Sequence, residues 1–158
     1  MLALLALSAA AAPATSPVTL LGVGDLRIGM SVSELRRLGA RKDYDPEDDP
    51  ACSFWSLPKR KGIAVMVSYG QVVRIDIENP QYVTASGARV GMSESQVRRI
   101  YGDMLKVEPH PYTSPEGHYL VYRASDRRHG MIFETFRRKV HSFRVGRWNH
   151  VQLIEGCS

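Results

Sequence analysis

The residues best suited to chemistry lie in one segment, Glu108-Pro-His-Pro-Tyr-Thr-Ser-Pro-Glu-Gly-His-Tyr119, with two histidines, two tyrosines and three prolines. Imidazole and carboxylate are common metal ligands, so His110 and His118 with Glu108 or Glu116 form one ligand set. Their spacing matches no established site. An enzyme would have to use the same histidines, because other catalytic signatures are missing. There is no Gly-x-Ser-x-Gly elbow, no His-Glu-x-x-His, no phosphate-cradling glycine loop and no Cys-x-x-Cys. The chain therefore reads as non-enzymatic, with no cofactor and no metal. The segment itself is either an ordinary connection between strands or a stiff aromatic loop that meets a partner. In the second case the contacts are His110, Tyr112, His118 and Tyr119, together with Trp148, since tyrosine supplies interface area at low entropic cost.

A second set of candidates is basic. The formal net charge is +5, and the first 24 residues carry no ionisable side chain. Arg123, Arg127, Arg128, Arg137, Arg138, Lys139, Arg144 and Arg147 crowd the second half around Phe136 and Trp148. Basic residues interleaved with aromatics can bind nucleic acid, but an exported chain seldom meets it. The partners left are anionic envelope polymers, lipid headgroups or an acidic protein surface. The anionic-surface reading rests on Arg137, Arg138, Lys139 and Arg147. The competing reading is solvated arginines on outward strand faces. Asp43–Pro50 is a carboxylate-rich loop, yet counting from Asp43 places Asp48 and Phe54 where a calcium loop wants Gly and Glu. It reads as a solvated acidic loop.

Compartment comes from the start of the chain and from the cysteines. Residues 1–14 hold an apolar run too short to span a bilayer and a small-residue cleavage site at Ala12-Pro13-Ala14, as in a signal peptide, although no Lys or Arg precedes the run. The expected location is periplasmic or secreted, with no membrane span. In an exported chain two cysteines predict one disulfide, Cys52–Cys157.

These residues must be positioned by the elements around them, and one stretch of the chain occurs twice. Arg27-Ile-Gly-Met-Ser-Val-Ser-Glu-Leu-Arg-Arg-Leu38 aligns without a gap on Arg89-Val-Gly-Met-Ser-Glu-Ser-Gln-Val-Arg-Arg-Ile100. Such spacing marks a duplicated unit. Each copy is a helix start: Ser31 and Ser93 at the N-cap, Glu34 and Gln96 three residues on, and a Met-to-Leu35 or Met-to-Val97 staple. Gly39 and Gly102 end two short helices. The paired arginines Arg36–Arg37 and Arg98–Arg99 read as solvated charge near helix C-termini.

Strands are expected at 52–57, 63–69 and 72–77, with Gly70-Gln71 as a hairpin link of type II′. Along 72–77, Val73, Ile75 and Ile77 alternate with Arg74 and Asp76, which implies one buried and one wet face. The second half predicts strands near 105–109, 118–123, 130–135 and 140–145, then a last strand at 151–154. The fold class is α+β: two tandem helix–β-meander repeats, residues 15–80 and 81–158, with short helices packed on antiparallel sheet.

The doubled helix start, Ile28-Gly29-Met30-Ser31…Leu35 and Val90-Gly91-Met92-Ser93…Val97…Gly102, resembles the β-lactamase-inhibitor-protein-like fold and its relatives, the SmpA/OmlA outer-membrane-assembly lipoproteins. The chain differs from the lipoproteins in lacking a lipobox cysteine and in being duplicated. The resemblance implies protein–protein interaction without catalysis, by an inhibitor or an assembly accessory. It carries over no contact residues.

Overall fold

The computed structural model describes residues 16–44, 49 and 51–157. The signal-peptide expectation and most of the acidic loop lie outside them. The elements are β1 (Val18–Thr19), β2 (Gly22–Val23), β3 (Leu26–Arg27), α1 (Val32–Arg37), β4 (Arg41–Lys42), β5 (Cys52–Ser56), β6 (Ile63–Ser68) and β7 (Gln71–Ile77). They continue with α2 (Glu94–Tyr101), a 3-10 turn (Gly102–Met104), β8 (Leu105–Pro109), β9 (Gly117–Arg123), β10 (His129–Phe136), β11 (Lys139–Arg147) and α3 (Trp148–Val151).

Both helices start as their sequences dictate. The Ser31 hydroxyl accepts from the Glu34 N–H, and the Ser31 N–H donates to Glu34 Oε2 at 2.8 Å. Ser93 and Gln96 repeat the arrangement, with Ser93 N–H donating to Gln96 Oε1 at 2.8 Å. Each start is also laced to a strand. Gly29 N–H donates to Val72 O and Val72 N–H to Met30 O; Gly91 N–H donates to Val140 O and Val140 N–H to Met92 O, all within 2.7–2.9 Å. Six- and eight-residue helices are too short to persist alone, so these bonds and one buried face must hold them. Leu35, Val97 and Tyr101 supply that face, buried against Trp55, Val65, Ile75, Leu120, Phe133 and Phe143 of the sheet.

The strands from β4 onward form one eight-stranded antiparallel sheet in the order β4-β5-β6-β7-β11-β10-β9-β8. β1, β2 and β3 form a separate small sheet. Two meanders thus meet at the β7–β11 seam, where Ile77, Asp76, Ile75 and Arg74 pair with Phe143, Arg144, Val145 and Gly146. The fold is α+β with small helices on antiparallel sheet, as expected.

Three local expectations are corrected. Ser68 pairs with Gln71, so the hairpin turn is Tyr69-Gly70, not Gly70-Gln71. Both turn residues have positive φ, 47° and 77°, which is the type I′ pattern that follows strand twist. The last strand does not form: Val151 ends a helical turn, and 152–154 run on without pairing. Finally, Arg74 does not face water. Its residue is 5% exposed, because the C-terminal segment crosses the sheet face opposite the helices.

That segment is a strap. It leaves β11 at Arg147, forms α3, and ends in a disulfide between Cys157 and Cys52 on β5, with a Cα–Cα distance of 5.4 Å. Arg74 Nη1 donates to His150 O at 3.3 Å and Leu153 O at 2.7 Å, while Arg144 Nε donates to Val151 O. Two buried guanidiniums from adjacent central strands therefore hold down strap carbonyls: those of Val151 and Leu153, and that of His150, which also accepts from the Leu153 N–H at 3.2 Å.

Candidate functional site

The strap crosses the outer sheet face, and four of the five predicted contact residues gather beside it. Strand alternation sends Leu120, Met131 and Phe133 to the helix side, and Tyr119, Val121 and Ile132 to the outer side, where they pack with Val151 and Trp148. A pocket of about 220 Å³ opens here. Pro109 and Pro111 of the β8–β9 connection form one wall, Trp148 of the strap another, and Tyr119, Ile132 and Arg144 belong to the strands beneath. Small-molecule sites run to roughly 300–1,000 Å³. This pocket is sized for a single side chain.

His110 is structural. Its Nδ1 accepts from the N–H groups of Tyr112 and Thr113, at 3.1 and 3.3 Å, so Nε2 carries the hydrogen that bonds Glu134 Oε1 at 3.0 Å. The residue is only 5% exposed. Glu134 Oε2 accepts in turn from Arg144 Nη1 at 3.3 Å. The Tyr119 ring lies between these groups, 4.6 Å from the His110 ring and 5.0 Å from the Arg144 guanidinium carbon. Arg144 Nη2 is buried and has no hydrogen-bond partner among the described residues. Tyr112 is 67% exposed, and its hydroxyl donates to Glu155 of the strap, tying the loop to the strap.

Trp148 is seated on a position that only glycine can fill. A methyl group on Gly130 would lie 2.6 Å from Trp148 Cε3 and 2.9 Å from Tyr122 O. Gly130→Ala is accordingly expected to push the indole off the sheet. The expected cost is about 1–3 kcal/mol in urea unfolding, with a red shift in tryptophan emission. An unchanged spectrum and midpoint would refute this seat.

No known family profile matches the chain, and no curated protein matches it. Its fold is shared. The crystal structure of the uncharacterized protein YfeY from Escherichia coli superposes with a TM-score of 0.55 at 13% identity, covering 84% of this chain and 100% of that one. At such identity the likeness shows the fold alone.

Four of the five predicted partner residues, His110, Tyr112, Tyr119 and Trp148, thus converge on one region. His118 does not. It lies on the helix side, where Nδ1 is 2.9 Å from Glu94 Oε1 of α2, and the Thr135 hydroxyl donates to the same oxygen at 2.6 Å. Among the described residues no three His, Cys, Asp or Glu side chains converge as metal ligands. No described helix is long and apolar enough to cross a membrane.

The basic set separates more sharply. Arg137, Arg138 and Lys139 sit at the β10–β11 turn, with Arg137 and Arg138 both at positive φ, whereas Arg147 ends β11. Eight residue steps of strand, about 25 Å, lie between them. Arg144, expected on an outward face, is 4% exposed because the strap covers it. Sequence reasoning missed Asp76 and Glu134 as the anchors of buried arginines. The available signal was Arg74-x-Asp76 on one strand face combined with an apolar C-terminal stretch able to cover it.

Proposed function

We propose that this protein is an exported, non-enzymatic binding protein of the cell envelope, periplasmic or secreted, whose partner is another protein. On this reading it is built of two tandem helix–meander repeats of the β-lactamase-inhibitor-protein-like kind and serves as an inhibitor or an assembly accessory. The observation that carries the proposal is the side-chain-sized pocket on the outer face, lined by Tyr119, Trp148 and Pro111, next in sequence to the exposed Tyr112. Binding hot spots are enriched in Trp, Tyr and Arg and centre on such desolvated pockets. The disulfide supports an oxidising compartment.

A photo-crosslinking residue at Tyr112 tests this, with one at exposed Lys59 as control, in the oxidised protein mixed with its own envelope extract. The expected result is one protein adduct from position 112 that is absent from position 59 and resists moderate salt. Trp148→Ala should weaken that capture by about 30-fold or more, the range of a hot-spot truncation. Identical adducts from both positions, or capture indifferent to Trp148, would overturn the reading. The alternative is an anionic polymer or lipid headgroup on Arg137, Arg138, Lys139 and Arg147, which lie at opposite ends of β11, so a ligand reaching all four would have to span about 25 Å.

A further inference from the structure

The arginines that remain do share a surface, at the end of the sheet away from the Arg137–Arg138 turn. The β9–β10 connection and the end of β11 enclose a depression of about 500 Å³. Arg127, Arg128 and Arg147 line it with Trp148, Asn149 and His150. Trp148 N–H donates to Arg128 O at 2.7 Å, which fixes the strap against the connection. Arg123 joins from the side. Its guanidinium carbon lies 4.7 Å from the centre of the Trp148 ring, and Nη2 donates to Arg127 O at 3.0 Å.

These charges are not neutralised locally. Arg147 is held by a neutral group, with Nη2 donating to Gln71 Oε1 at 2.7 Å. None of the ion pairs among the described residues involves Arg123, Arg127, Arg128 or Arg147. The nearby carboxylate is Asp126, and it is turned to the backbone. Its Oδ1 accepts from the N–H groups of Arg128 and His129, and Oδ2 is 2.6 Å from His129 Nδ1. The His129 hydrogen bond, followed by the Arg128 N–H, lowers its pKa to about 2. His150 lines the same depression. Burial first, then Arg147 and Arg74, hold its imidazole below the ordinary range.

We propose that this depression binds a phosphate group, as a monoester or diester, through Arg127, Arg128 and Arg147, with the body of the ligand against Trp148. Guanidinium forks match the several oxygens of a phosphate and form charge-assisted hydrogen bonds about twice as strong as neutral ones. Their convergence on one depression favours a compact multi-oxygen anion over a dispersed acidic surface. The site adjoins the outer-face pocket through Trp148 but does not depend on the protein-partner reading.

The test uses the intact oxidised protein and the emission of Trp148; the other tryptophan, Trp55, is buried in the helix-side core. Inorganic phosphate, phosphatidylglycerol vesicles, phosphatidylcholine vesicles and polyglutamate are titrated separately at low ionic strength. Saturable binding of phosphate supports the site with a soluble source, and binding of phosphatidylglycerol vesicles alone supports it with a lipid source. The double variant Arg128→Ala/Arg147→Ala should weaken either by about tenfold or more, while Arg137→Ala/Arg138→Ala leaves it unchanged. Arg128→Gln, checked by circular dichroism, serves if the double variant does not fold. Binding of polyglutamate alone, equal binding of phosphatidylcholine, equal loss from the Arg137/Arg138 variant, or no binding at all would overturn the proposal.

Discussion

Replacing Cys52 and Cys157 by serine is expected to destabilise the oxidised protein by about 4–5 kcal/mol in urea unfolding, the chain-entropy effect of a long closed loop. The sequence separation is 105 residues. For a chain of this length the thermal midpoint should fall by roughly 10 °C or more. The native state contributes as well. Without the bond the strap's end loses its attachment to β5, where Gly156, at φ 71°, fits against Phe54 so closely that an added methyl would come within 2.6 Å of Cε2. Phe54 and the fully buried Met66 beneath it would then meet water. The same loss should follow reduction of the wild-type protein. A change below about 1 kcal/mol would mean that the strap is held almost entirely by its other contacts.

Much of this architecture could be read from residue order, because it is encoded locally. Capping boxes at Ser31 and Ser93 need residues only three positions away. The meanders follow from alternation and short turns. The cysteine pairing needed no distance at all, since only one intramolecular pair exists. What the sequence hid depends on contacts across long separations. The alternation of Arg74 and Asp76 correctly puts them on one face, but alternation cannot say that residues 148–157 return to cover that face. For the same reason Arg144 reads as a surface charge and Val151–Ile154 as a strand. A strap needs no ladder partner when guanidiniums bind its carbonyls.

The candidate sites show the same division. His110, Tyr119 and Trp148 are far apart in sequence and meet because β9 and β11 flank β10, with residue 130 opposite 123 and 146. His118 neighbours Tyr119 in sequence yet faces the helices, as the two-residue period of a strand requires. Arg137–Lys139 and Arg147, alike in charge, lie at opposite ends of one strand, β11.

Removing the Arg74 guanidinium is the second large expected effect. Arg74 binds Asp76 through Nε at 2.9–3.0 Å and Nη2 at 2.7 Å, besides its two strap carbonyls. Its side chain is 6% exposed and that of Asp76 22%. Arg74→Met keeps the stem but leaves a largely buried carboxylate and the Leu153 carbonyl without a donor, while His150 O keeps its bond from the Leu153 N–H. A loss of about 3 kcal/mol is expected. Arg144→Met should cost less, because Glu134 is 33% exposed and water can reach it. Arg74→Met combined with Asp76→Leu should recover part of the loss, since replacing both members of a buried pair removes the unpaired charge. The decisive comparison is with the disulfide. If Arg74 acts through the strap, its loss must matter less once Cys52 and Cys157 are serine, because the released strap no longer presents carbonyls to it. The double-mutant cycle should then show a coupling of about 1–2 kcal/mol. Strict additivity would place the work of Arg74 within the sheet, in its pair with Asp76, and leave the disulfide as the strap's principal fastening.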